Sequence, residues 1–149
     1  MENRLRELPE GVKGYIAAFL DCEGYISVRL AKGVMGRRND RFALRAGFAN
    51  THFPTIQKLY NLLGIGTLRK ELRSDGKDIY RFQVDCKMDI WCLLDAVKPY
   101  LSVKRKHAEL ASEFIESQIV GSLTYKRALD IHNELKILNN RPKSELISG

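Results

Sequence analysis

From Gly11 to Asp21 apolar residues recur at helical spacing, and hardly any side of the segment is polar. Ile16, Phe19 and Leu20, with Tyr15 alongside, form a bulky side. Gly14, Ala17, Ala18 and Asp21 fall at i, i+3, i+4 and i+7 and form a stripe of small residues. A helix apolar all round is buried on both sides. Its bulky side can cover the chain's own core, and the small stripe lets a second backbone approach closely. Tight packing under a strand of the same chain is the alternative account of the small residues. Two acids, Asp21 and Glu23, stand at the tip, and Gly24 ends the helix.

The period then changes to two. In "ISVRLAK" (26–32), Ile26, Val28 and Leu30 oppose Ser27, Arg29 and Ala31; in "RFALRAGFA" (41–49), Phe42, Leu44, Ala46 and Phe48 oppose Arg41, Ala43, Arg45 and Gly47. Such alternation predicts strands with one covered face. The basic "GVMGRRND" between them reads as a loop. Ile56, Leu59, Tyr60 and Leu63 return to helical spacing over 51–63, with Pro54 in the first turn and Gly64 as the stop. Strands at about 67–73 and 79–85 follow, joined by "SDGKD", with Leu68, Leu72, Tyr80, Phe82 and Val84 expected on the covered face. Helices are predicted over about 87–98, 103–119 and 124–139. The order α-β-β-α-β-β-α-α, without a linker, makes one α+β domain over 1–149. Residues 1–10 form an N-terminal extension and about 120–149 a C-terminal helix and tail.

Composition narrows the class. Hydrophobic residues make up 44% of the 149 and charged ones 29%, which fits a globular domain with its own core. No apolar run approaches the ~18 residues a membrane span needs. The charged "MENRLRELPEG" is not the pattern of a secretory signal. Cys22, Cys86 and Cys92 form no CxxC pair, so buried, reduced thiols are expected, in an intracellular reducing compartment such as the cytoplasm or an organelle matrix. The net charge of +7 is concentrated: Tyr25 to Asp85 holds 12 Lys/Arg against 5 Asp/Glu, and the rest holds 13 of each sign. That favours a polyanion-binding surface, although a solvated basic face accounts for the charge alone equally well.

The strands sharpen the choice. Their open face collects Arg29, Arg41, Arg45, Arg69, Arg73 and Arg81, with Ser27, Thr67 and Gln83 among them and Glu71 as the main acid. The guanidinium fork can grip guanine O6 and N7 or a phosphate. A twisted antiparallel ribbon fits the DNA major groove, and the face lacks aromatics for stacking on unpaired bases. Double-stranded DNA is the expected partner.

Three motifs carry a resemblance. "IAAFLDCEG" (16–24) resembles the signature of the LAGLIDADG homing endonucleases, with Glu in place of the usual second Asp. "ANTHFPTIQKLYNLLGIG" (49–66) is similar to that family's strand end, helix and glycine exit, and "VKPYLSVKRKHAELASEF" (97–114) to its Pro-Tyr-Leu turn and basic helix start. The likeness covers about residues 13–118. It implies the α-β-β-α-β-β-α fold with an antiparallel four-stranded DNA-binding sheet, here with an additional C-terminal helix. It also implies a site: Glu23 as ligand to a divalent metal, assisted by the Cys22 backbone carbonyl. Asn50 would order the attacking water, with Thr51 or His52 as neighbours able to take its place. Lys104 would offset charge in the transition state, and Asp21 would serve helix packing.

Phosphodiester hydrolysis needs a hard cation, a positioned water and positive charge near the leaving oxygen. One carboxylate per chain is too few. The nearest second signature, "WCLLDAVKP" (91–99), has Val97 at the acid position and is an ordinary amphipathic helix. A homodimer is therefore expected, joined through Gly14, Ala17, Ala18 and Asp21 and reading a roughly palindromic site. The expected function is a Mg2+-dependent homing endonuclease making staggered double-strand breaks. Mn2+ or Ca2+ would substitute for binding, and no small-molecule cofactor or membrane is involved. The alternative is a non-cleaving DNA-binding protein of the same fold or an intron RNA maturase.

Overall fold

The computed structural model describes residues 3–31 and 41–140. The basic loop "GVMGRRND" lies outside the described residues. Helix α1 spans Glu10–Glu23, strand β1 Gly24–Ala31, β2 Arg41–Asn50, helix α2 Phe53–Leu63, β3 Thr67–Leu72 and β4 Asp78–Val84. Helices α3 (Lys87–Val97), α4 (Arg105–Ile119) and α5 (Tyr125–Asn139) follow. Local chemistry sets the boundaries. Pro54 sits in the first turn of α2, where a missing N–H costs nothing, and Gly64 closes that helix at φ 64.

The strands form one antiparallel sheet in the order β1-β2-β4-β3. One face is covered by the helices. Ile26, Val28, Leu44, Ala46, Phe48, Phe82 and Val84 point into a core shared with Ile16, Leu20, Ile56, Leu59, Leu94, Phe114 and Ile131. Phe48 and Phe82 stack at 4.8 Å between centroids in its middle. Each such side chain larger than alanine, fully withdrawn from water, stabilises the fold by about 1.5–3 kcal/mol. The α+β class, the element order and the four-stranded antiparallel sheet agree with the sequence expectation.

Leu72, expected on the covered face, is instead 75% exposed. Among the described residues nothing covers the correct side of the sheet at the end of β3. The thiols also differ from expectation. Cys22 and Cys86 are exposed and Cys92 is half-buried, with no disulfide among them.

The first described residues are docked against the helices. A 3-10 turn at Arg4–Glu7 buries Leu5, and Asn3 Nδ2 donates to Cys92 O and to Asp95 Oδ2, each at 3.0 Å. Arg6 also pairs with Asp95, and its guanidinium holds that carboxyl below the usual carboxylate range. At the other end, α5 protects the open edge of β1. His132 Nδ1 donates to Val28 O at 2.5 Å and Asn139 Nδ2 to Ile26 O at 3.2 Å, satisfying carbonyls that an edge strand otherwise leaves unpaired. Arg127 fastens α5 to α4 through Glu113, at 2.5 and 2.7 Å, and reaches Glu134 of its own helix at 3.2 Å.

Candidate nucleic-acid interface and helix-tip site

Helix α1 ends with an electrostatic anomaly. The C-terminal end of a helix carries partial negative charge and favours cations, yet the last turn here holds Asp21 and Glu23 and no basic residue. Asp21 is resolved internally. It is 6% exposed, and its carboxylate accepts the backbone N–H of Ser102 (Oδ2, 2.9 Å) and of Lys104 (Oδ1, 2.9 Å). The Pro-Tyr-Leu turn and the start of α4 are thereby held against α1. Glu23 is exposed and makes no hydrogen bond or ion pair with the described residues.

The sheet brings a third segment to the same place. Gly24, the residue that follows α1, pairs with Phe48, so the end of β2 at Asn50 comes to the same end of the sheet as the tip of α1. Asn50 Oδ1 accepts the His52 N–H at 2.8 Å, shaping the turn into α2. The His52 ring lies 2.6 Å from Thr55 Oγ1, a local contact at the start of that helix. Lys104 is 7% exposed. One turn beyond it, His107 is 1% exposed, and burial together with the neighbouring Lys104 charge pushes its pKa down to about 4. It is a neutral imidazole at ordinary pH.

Glu23 and the Cys22 carbonyl are oxygen donors, and the helix end adds negative potential, which fits a hard divalent cation. The set is incomplete in one chain: no group of three or more His, Cys, Asp or Glu able to hold a metal occurs among the described residues.

The small stripe on α1 is rotated from its expected position. Ala17 is 0% exposed inside the chain's own core, so it offers nothing to a partner, and Asp21 is turned inward as well. The face left open is Gly11, Gly14, Tyr15, Ala18 and Cys22, at i, i+3, i+4, i+7 and i+11. A Cβ built on Gly11 or Gly14 meets nothing within 4 Å. Tyr15 is capped by Lys58 of α2, whose Nζ lies 5.3 Å from the ring centroid.

The other sheet face carries the arginines. Register aligns Ser27 with Arg45, Ala31 with Arg41, and Arg69 with Arg81, and Arg29 lies opposite Ala43. Thr67 is exposed, and Arg73 follows β3 in the hairpin. The face is less uniformly basic than the sequence implies. Arg45 pairs with Asp85 at 3.5 Å, Arg73 with Asp75 at 3.6 Å, and Glu71 holds both Arg69 (3.5 Å) and Arg81 (3.4 Å). These pairs are exposed and weak, so the guanidiniums can exchange them for other acceptors.

Gln83 lies on this face but is not available as a simple base-edge group. It is 8% exposed; Oε1 accepts from Tyr25 Oη at 2.9 Å and Nε2 donates to the Asp85 carboxylate at 2.9 and 3.2 Å. Gly47 lies between Tyr25 and Gln83 in the cross-strand row, and a Cβ there would stand 2.1 Å from Phe82 O. Only glycine lets β2 and β4 close at this point, and its bare surface lets the tyrosine reach across. Burial also pushes the Tyr25 hydroxyl up, keeping it a neutral donor. Sequence alternation assigned Gln83 to the correct face but missed Tyr25 and Asp85; the Tyr–Gly–Gln row becomes visible only once register is known.

No protein-family model matches the sequence, and no curated protein matches it either. Solved structures do match. The homing endonuclease I-CvuI, in complex with the I-CreI target in the presence of Mg and with the DNA not cleaved, superposes with a TM-score of 0.72 at 19% identity, covering 93% of this chain and 94% of that one. The archaeal intron-encoded homing endonuclease I-Vdi141I complexed with DNA gives 0.72 at 19% identity over the same shares of the two chains. The I-SmaMI LAGLIDADG homing endonuclease bound to cleaved DNA gives 0.69 at 19% identity, over 91% of this chain but 46% of its own. The chain has the fold of the LAGLIDADG homing endonucleases.

Proposed function

We propose that the protein is a sequence-specific DNA endonuclease that acts as a homodimer and uses Mg2+ to make staggered double-strand breaks in a long, roughly palindromic site. The carrying observation is the meeting of three distant segments at one end of the sheet. Glu23 ends α1, Asn50 ends β2 at that same end, and Lys104 is tied to the last turn of α1 through Asp21. The arginine-bearing sheet face begins next to this point, and the structural relatives are complexes with DNA.

In this reading each residue has a separate task. Arg29, Arg41, Arg45, Arg69, Arg73 and Arg81, with Ser27 and Thr67, engage the major groove of one half-site. The amide of Asn50, whose oxygen is committed to the His52 N–H, orients solvent through its remaining donors. Lys104 supplies positive charge near the departing oxygen. Glu23 and the Cys22 carbonyl hold the cation, which when bound supplies charge stabilisation and lowers the pKa of its water. Like carboxylates from two chains at one place repel unless cations and phosphates join them. Assembly of the site and DNA binding are thus coupled. Dimerisation through the open α1 face, centred on Gly14 and Ala18, brings the two tips together and gives the target its twofold symmetry.

The test is incubation with a randomised duplex library and Mg2+, followed by sequencing of the cut ends. Discrete staggered ends in a palindromic consensus support the reading. Enrichment of bound but uncut duplexes supports a binding protein of the same fold instead, and an absence of both refutes it.

A further inference from the structure

The open sheet face contains an acid where an acid should weaken DNA binding. Asp85 stands immediately beyond β4, beside Arg45, and its side chain is 57% exposed on the surface expected to meet phosphates. It is nevertheless held in place by a built network. Tyr25 reaches over Gly47 to fix Gln83, Gln83 donates its amide to both Asp85 oxygens, and Asp85 in turn faces the Arg45 guanidinium at 3.5 Å. The first two members are half-buried and buried, so the order runs outward from a rigid base to two exposed, opposite charges.

A carboxylate has about four lone-pair sites. Gln83 and Arg45 occupy part of them, and with the Arg45 and Asp85 side chains 39% and 57% exposed the remaining sites are open to an outside partner. Together the two side chains offer acceptor beside donor. In the major groove a G·C pair presents the complement: guanine O6 and N7 accept, and cytosine N4 donates. An A·T pair presents acceptor, donor and acceptor in that order, so it lacks the two adjacent acceptors that the guanidinium fork grips.

We propose that Arg45 and Asp85 together read one G·C pair in each half-site, with Tyr25 and Gln83 as the positioning residues that hold Asp85 in register. The inference rests on the DNA-binding reading above and deepens it. Repulsion between Asp85 and phosphate lowers affinity for every sequence, and the cytosine contact restores it at one base pair, which is specificity by penalty as well as by attraction.

The experiment is selection from a pool of randomised duplexes with Ca2+ in place of Mg2+, so that binding is read without cutting, with the bound fraction sequenced. Wild type should show a G·C preference at one position of each half-site. Asp85→Asn should lose that preference by roughly tenfold, shift it towards adenine, and bind unselected duplex more tightly because a negative charge is gone. Tyr25→Phe should blur the same position and no other. An unchanged base profile in either variant, or a uniform weakening across all sequences, overturns the proposal while leaving DNA binding intact. A wild-type protein that enriches no sequence overturns both readings.

Discussion

Asp21 Oδ1 accepts the backbone N–H of Lys104 at 2.9 Å, across 83 residues of chain. With the Ser102 N–H on its other oxygen, this single carboxylate fixes where α4 begins relative to the tip of α1. Asp21→Ala should leave two part-buried to buried N–H groups unsatisfied and cost about 2–4 kcal/mol, since hydrogen bonds to charged groups exceed neutral ones. Asp21→Asn, which keeps an oxygen acceptor, should cost less. Chemical denaturation of both variants measures the difference, and equal stabilities would mean that the turn is held by other contacts.

Glu23 is the opposite case, an exposed acid with no partner among the described residues. Glu23→Gln should therefore leave the denaturation midpoint unchanged. Cleavage of the selected duplex should fall by several orders of magnitude while binding persists. Chelation of divalent cations should abolish cleavage likewise. Cutting at the wild-type rate in either condition would remove Glu23 from the site.

The α1 helix provides a matched pair of substitutions. Ala18 is exposed and Ala17 is fully buried in the chain's own core. Ala18→Leu should leave the monomer fold intact and shift sedimentation from dimer to monomer. Ala17→Leu should overpack the core and cost about 1–3 kcal/mol. A dimer that survives Ala18→Leu would place the contact elsewhere.

His107 predicts an acid-side loss of stability. Its folded pKa of about 4 lies below the ordinary 6.5, so the unfolded chain takes up a proton first. Stability from this group is complete above about pH 6.5 and drains as pH falls towards 4. The groups facing it are Lys104, which disfavours the proton, and Asp21 and Asn139, which favour it. His107→Gln should flatten the dependence of the denaturation midpoint on pH across that window. Asp95 and Glu113, both depressed by arginine partners, add a separate loss at lower pH. A wild-type midpoint that stays flat between these pH values would show the imidazole to be free to charge.

Much of the fold was legible because its signals are local. Period-two alternation in 41–49, helical spacing through Ile56, Leu59 and Leu63, and Gly64 as a stop each need only neighbouring residues. The same alternation placed the arginines on one face. It did not reveal that Leu72 is exposed, or that Asp75 and Asp85 join Glu71 in pairing with Arg45, Arg69, Arg73 and Arg81. Nor did spacing distinguish Ala17 from Ala18. One residue is a rotation of about 100° on a helix, and which side meets the core depends on what packs there.

The sequence by itself determined the order of elements, the covered and open sides of the strands, and the signature residues at the tip of α1. Tertiary structure alone decided how these are used. Asp21 went inward because two backbone N–H groups from a distant turn arrive there. Gln83 became a brace because Gly47 leaves room for Tyr25. Glu23 kept its charge outward because nothing among the described residues meets it. Such outcomes depend on contacts between segments far apart in the chain, and no local pattern encodes the partner.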